Sequence, residues 1–140
     1  MKAEQEAMET SGRELPGFRK RSFALPYRGG MIWFEHLDGL GRSCQLTLEK
    51  LRADEPAFHL PSAPGCVAFV LTDSKITPEI TEALVRTLTE TEKPFRRVAF
   101  IGADGKVRRE LSRRLMSSGV AVHFEKDVEK AKEWLIPEKG

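Results

Sequence analysis

The sequence predicts an α/β domain with a mainly parallel, mixed sheet and alternating helices, and three observations lead there. From residue 66 onward, apolar runs of strand length alternate with stretches of helical periodicity. VAFVLTDSK (67–75) returns as VAFIGADGK (98–106) after a shift of 31 residues. The likeness also runs on into the next segment, with Ile76 falling on Val107, Glu79 on Glu110, Ile80 on Leu111, Thr81 on Ser112 and Leu84 on Leu115. The repeated unit is therefore a strand, a turn and half a helix, and a right-handed crossover makes the two strands neighbours with both turns at the carboxyl edge of the sheet.

Taken in order, residues 1–17 are polar, lack an apolar period, and are expected to be a disordered tail ahead of a single domain over 18–140. In SFALPYRGG the alternation of Phe23, Leu25 and Tyr27 suggests an extended edge piece ending at Gly29 and Gly30. MIWFEHL (31–37) reads as a strand and DGLG (38–41) as a turn. Residues 42–53 fit two patterns. Cys44, Leu46 and Leu48 alternate as in a strand, while Cys44, Leu48 and Leu51 recur as in a helix; Ser43 as a cap and Pro56 as a stop favour the helix. AFHLPSAPG (57–65) reads as a loop.

CVAFVLT (66–72) is a near-continuous apolar run, as expected of a strand covered on both faces. Thr77 with Pro78 behind it signals a helix start, and Ile80, Ala83, Leu84 and Leu88 carry that helix to a stop before Pro94. RRVAFIG (96–102) repeats the strand, Asp104 caps a helix with Val107, Leu111 and Leu115 on one face, and Gly119 stops it. VAVHF (120–124) is a third strand, and Asp127 opens a last helix with Val128, Ala131, Trp134 and Leu135, ended by Pro137.

Composition narrows the function classes. No stretch reaches the roughly 18 apolar residues a membrane span needs, and the first 17 residues lack the apolar centre of a secretory signal. Cys44 and Cys66 have no metal-like spacing, so reduced thiols and a cytoplasmic location are expected, with Cys66 as a small buried hydrophobe. A net charge of +2 is too balanced to imply nucleic-acid binding by itself. The charges are nevertheless uneven: Glu4, Glu6, Glu9 and Glu14 against Lys2 and Arg13 precede the basic Arg19, Lys20, Arg21 and Arg28. On the helix KVRRELSRRL, Lys106, Arg109, Arg113 and Arg114 with Glu110 occupy the arc opposite Val107, Leu111 and Leu115. That patch suits an acidic protein, anionic lipid or nucleic acid, or is simply the wet face of an amphipathic helix.

The carboxyl edge is where open α/β sheets bind ligands, and a helix N-terminus with an adjacent lysine suits an anion. Asp73, Ser74, Lys75, Gly102, Asp104, Gly105 and Lys106 are therefore candidate ligands for a phosphate, a nucleotide or a phosphorylated metabolite. Against that reading, GADGKV has two residues between glycine and GK where a Walker A loop has four, and Val107 stands where that loop has Ser or Thr. The dinucleotide fingerprint is absent too, and the aspartates would repel phosphate. His36, His59 and His123 lack paired ligand spacing, so no metal or other cofactor is expected. No nucleophile motif names a reaction, and a catalytic residue is not predicted.

The stretch FRRVAFIGADGKVRRELSRRL followed by VAVHFEKDVEKAKEWL resembles the C-terminal half of the STAS domains (sulfate transporter and anti-sigma-factor antagonist), particularly the stand-alone STAS-like group. The likeness lies in a strand ending near Gly102, a helix, a short strand ending in Phe124, and an acidic step into a helix bearing Ala131, Trp134 and Leu135. The resemblance implies a sheet with helices mainly on one side and a non-enzymatic, regulatory module that binds a protein, its own copy or another. In phosphoregulated members, a serine after an aspartate sits at the start of the helix following the central strand. Here Thr77 is the hydroxyl at that helix start, and Asp73–Ser74 comes about three residues earlier, so the resemblance points to Thr77 or Ser74 as the phosphorylation position.

Overall fold

In the computed structural model, which describes residues 20–138, the chain runs β1 (Phe23–Tyr27), β2 (Gly30–His36), α1 (Cys44–Phe58), β3 (Cys66–Val70), α2 (Pro78–Thr89), β4 (Arg97–Ile101), α3 (Gly105–Leu115), β5 (Ala121–Glu125) and α4 (Val128–Leu135). The five strands form one sheet in sequence order, with β1 antiparallel to β2 and every later pair parallel. The expected α/β class and its mainly parallel mixed sheet are therefore seen. The 1–17 tail and Arg19 of the basic cluster lie outside the described residues.

The β1–β2 hairpin turns on Arg28 and Gly29, both with positive φ (50° and 82°), which matches the twist of the flanking strands. Pro26 sits on this edge strand, where a missing N–H need not break the sheet's ladder. Because each crossover advances one place along the sheet, successive right-handed crossovers stack their helices on the same face. The buried residues of α1, α2 and α3 accordingly join one core with Val67, Phe69, Val98 and Phe100. The last helix returns over the opposite face, setting Ala131 and Leu135 against Ala68, Ala99 and Ile101.

The doubled VAF has a direct structural meaning. Val67 pairs with Val98, Ala68 with Ala99 and Phe69 with Phe100, so the 31-residue repeat is a register of adjacent strands. Its valine and phenylalanine face the three-helix side, and its alanine faces α4, where a small side chain allows close approach. Phe58 meets Phe69 edge-on, and Phe69, Phe100 and Phe124 stack across β3, β4 and β5 at centroid spacings of 5.4 Å.

The alternatives offered for 42–53 resolve in favour of helix, which begins at Cys44. Ser43 caps α1 by accepting the Leu46 N–H, and Ser43, Thr77, Asp104 and Asp127 all prove to be N-caps. The expected stop at Pro56 and the loop from residue 57 are corrected, because α1 continues through Pro56 to Phe58. Proline forfeits one backbone bond in the last turn, but Phe58 is fully buried there among Trp33, Phe69 and Phe95. Burial of that ring, worth about 2–3 kcal/mol, outweighs the missing N–H. The strand expected over 120–124 is also shifted by one residue, to Ala121–Glu125.

Candidate functional site

Beyond the last residues of β2 and β3, the two chains remain zipped. Leu37, Gly39 and Gly41 donate backbone N–H groups to Val70, Thr72 and Asp73, and Lys75 donates back to Gly41 at 2.7 Å. The Ser74 hydroxyl closes this zipper, donating to the Leu37 carbonyl at 2.5 Å and accepting the Leu40 N–H at 3.0 Å. Both functions of that hydroxyl are thus used in holding the β3 loop to the β2 loop. Asp73 takes a left-handed conformation (φ 60°) on the exposed outside of the turn.

This rigid loop delivers Lys75 and Ile76 to the start of α2, where the Thr77 side chain accepts the Ile80 N–H at 3.3 Å and lies 3.2 Å from the Cys44 thiol. One strand over, Asp104 accepts the Val107 N–H at 2.9 Å and starts α3. Between the two helices lies a cleft of about 900 Å³. Ser74, Lys75, Asp104 and Lys106 line it, four of the seven candidate ligand residues; Asp73, Gly102 and Gly105 do not. All three arginines of the basic patch, Arg109, Arg113 and Arg114, line it as well, together with Thr77 and Thr81. The loop site and the basic helix, which the sequence offers as separate features, are one place.

Charge within the cleft is uneven. Arg114 reaches from α3 to Glu82 of α2 at 2.8 Å, and Arg113 pairs with Glu110 at 2.5 Å. The Arg113 hydrogen bond holds the Glu110 carboxyl below its ordinary range. Asp104 is committed to the helix cap. Lys75, Lys106 and Arg109 have no ion-pair partner among the described residues, so three cations face the cleft uncommitted. With the N-terminal ends of α2 and α3 beside them, these cations make a positive rim over a floor that includes Ile76 and Val107.

The remaining polar candidates are dispersed. His36 bonds Asp38 at 2.9 Å, His59 bonds Thr87 at 2.9 Å, and His123 stacks on Trp134 while bonding Glu125 at 3.2 Å. No group of three metal-ligating side chains occurs among the described residues. Cys66 is buried, as its sequence position suggests, and burial pushes its thiol up; both cysteines are free. No helix among the described residues is long and apolar enough to cross a membrane. What sequence reasoning missed is the buried polar group around Glu35, whose only signal is a lone carboxylate inside the apolar run MIWFEHL. Compared with protein-family models, curated proteins and solved structures, the chain gives no match.

Proposed function

We propose that this chain is a non-enzymatic, STAS-like binding module whose α2–α3 cleft receives an anionic group carried by a protein partner. The observation that supports it is the gathering of Lys75, Lys106 and Arg109, uncommitted to any acid among the described residues, around one cleft at the carboxyl edge of the sheet. Opposite charge on the partner would speed encounter and fix its register more than it would add raw affinity. Reversing two of these charges, Lys106→Glu with Arg109→Glu, is expected to weaken partner capture at least tenfold, which is about 1.4 kcal/mol. Capture by the wild-type chain is expected to fall as salt is raised. The measurement is a side-by-side pull-down from the source cell with both baits; a partner retained equally by the two would remove the cleft from the interface.

A second reading, a small phosphorylated ligand, is favoured by the size of the cleft, which lies within the roughly 300–1,000 Å³ range of ligand sites at about 900 Å³. It predicts that inorganic phosphate, a nucleotide or a phosphorylated metabolite raises the melting temperature, and that Lys106→Ala abolishes the rise. A shift that survives Lys106→Ala would place the ligand elsewhere.

A further inference from the structure

Under α1 lies a polar cluster that the cleft does not use. Glu35 points from β2 to the face that α1 covers, is fully buried, and accepts one hydrogen bond, from the Trp33 indole at 2.9 Å. Its second oxygen, Oε2, meets no donor among the described residues. Asp54 and Lys50 face it from α1, Trp33 faces it from its own strand, and β3 sets the uncharged Phe69 beside it. Lys50, 4% exposed, is already committed: its ammonium donates to Asp54 and, at 2.8 Å, to the Ser22 hydroxyl. Ser22 in turn donates to Asp54 at 2.8 Å and accepts the His36 N–H at 2.9 Å, so the residue leading into β1 is tied to the same carboxylate.

Two ionised carboxylates here would oppose a single ammonium, and Oε2 would stay both dry and unbonded, a costly arrangement. A proton on Oε2 removes both problems. It supplies the donor that Asp54, within hydrogen-bonding reach, can accept, and it leaves one carboxylate for one ammonium.

We propose that Glu35 is protonated in the folded protein and donates that proton to Asp54, so that the seat of the β1–β2 hairpin on α1 is a latch held by a proton and loosened by alkali. The two carboxyls are driven apart in the sense this requires. Burial above all, then the hydrogen bond with Asp54, pushes Glu35 up to about 9 from an ordinary 4.5. Burial works to raise Asp54 as well, but hydrogen bonds from Glu35, Lys50 and Ser22 outweigh it and hold that carboxyl below its usual range. Because the folded state keeps a proton that the unfolded chain releases near 4.5, Glu35's stabilising contribution is complete below that pH. It is lost as pH rises, about tenfold in the folding constant per pH unit, until the folded group itself ionises near 9.

The test compares the full wild-type chain with Glu35→Gln, an amide that can still accept from Trp33 and donate to Asp54, by thermal unfolding at a series of pH values. The melting temperature of Glu35→Gln is expected to exceed the wild type by a margin that widens from acid to pH 9; parallel curves would overturn the proposal. Infrared difference spectra of the wild-type protein at neutral pH give a reading that does not depend on the variant folding. They should show a protonated-carboxyl stretch, and its absence would equally refute the shared proton.

Discussion

Phe69→Ala is expected to destabilise the protein by about 3–5 kcal/mol, the range for removing a large aromatic ring from a packed core. Phe69 is fully buried at the centre of the row formed by Phe58, Phe100 and Phe124, meeting Phe58 edge-on and Phe100 face to face. Truncation removes the ring both neighbours contact and leaves a cavity under α1 and α2 that a sheet cannot close by shifting a single strand. The loss should appear as a lower urea midpoint with an unchanged slope. Met31→Ala, at an exposed position on β2, should stay within about 0.5 kcal/mol. A Phe69→Ala cost no larger than that of Met31→Ala would mean that the aromatic row is not the centre of the core.

Gly102→Ala is expected to cost about 2–4 kcal/mol although it adds a single methyl group. Two penalties combine there. The φ of 84° lies in the left-handed region, where a side chain costs about 1–2 kcal/mol, and a Cβ would stand 2.3 Å from the Thr72 hydroxyl oxygen and 3.0 Å from the Thr72 backbone. The backbone contact cannot be relieved by turning a rotamer, so β3 and β4 would have to part where both chains leave the sheet. Thr72→Ala in the same chain should recover only the part due to the hydroxyl, which a double-mutant cycle reads directly. Full recovery would show that the backbone approach is unimportant. The result also bears on the site: Gly102 is explained by the closeness of two strand ends, and needs no ligand.

Strands and caps were legible because their signals are local. Four capping side chains, the periodic faces of α2 and α3, and the VAF repeat each depend on residues within a few positions of one another, and the repeat even carried the pairing register of β3 with β4. Pro56 misled for the opposite reason. A local breaker was overruled by the burial of Phe58 against residues from three other parts of the chain, which no window around Pro56 contains. The candidate site was half legible: the DSK and DGK turns and the basic helix could each be picked out, while their meeting in one cleft depends on α2 and α3 packing side by side. Ser74 shows the limit of residue type as a guide, since a hydroxyl beside an aspartate suggests chemistry but here fastens two loops. Glu35 was hidden because Asp54 and Lys50, which face it, and Ser22, which bonds both of them, are distant in sequence and meet only when β1 and α1 close over β2.

The cleft is tested most directly by following backbone amide resonances of the full chain while pyrophosphate or a phosphothreonine peptide is titrated in. Binding there should move the amides at the starts of α2 and α3, those of Thr77, Glu79 and Ile80 and of Asp104 to Val107, with the effect lost in Lys106→Glu/Arg109→Glu and weakened by salt. Perturbations centred on the β1–β2 hairpin, or shifts of equal size in the charge-reversed chain, would contradict an anion-receiving cleft between α2 and α3.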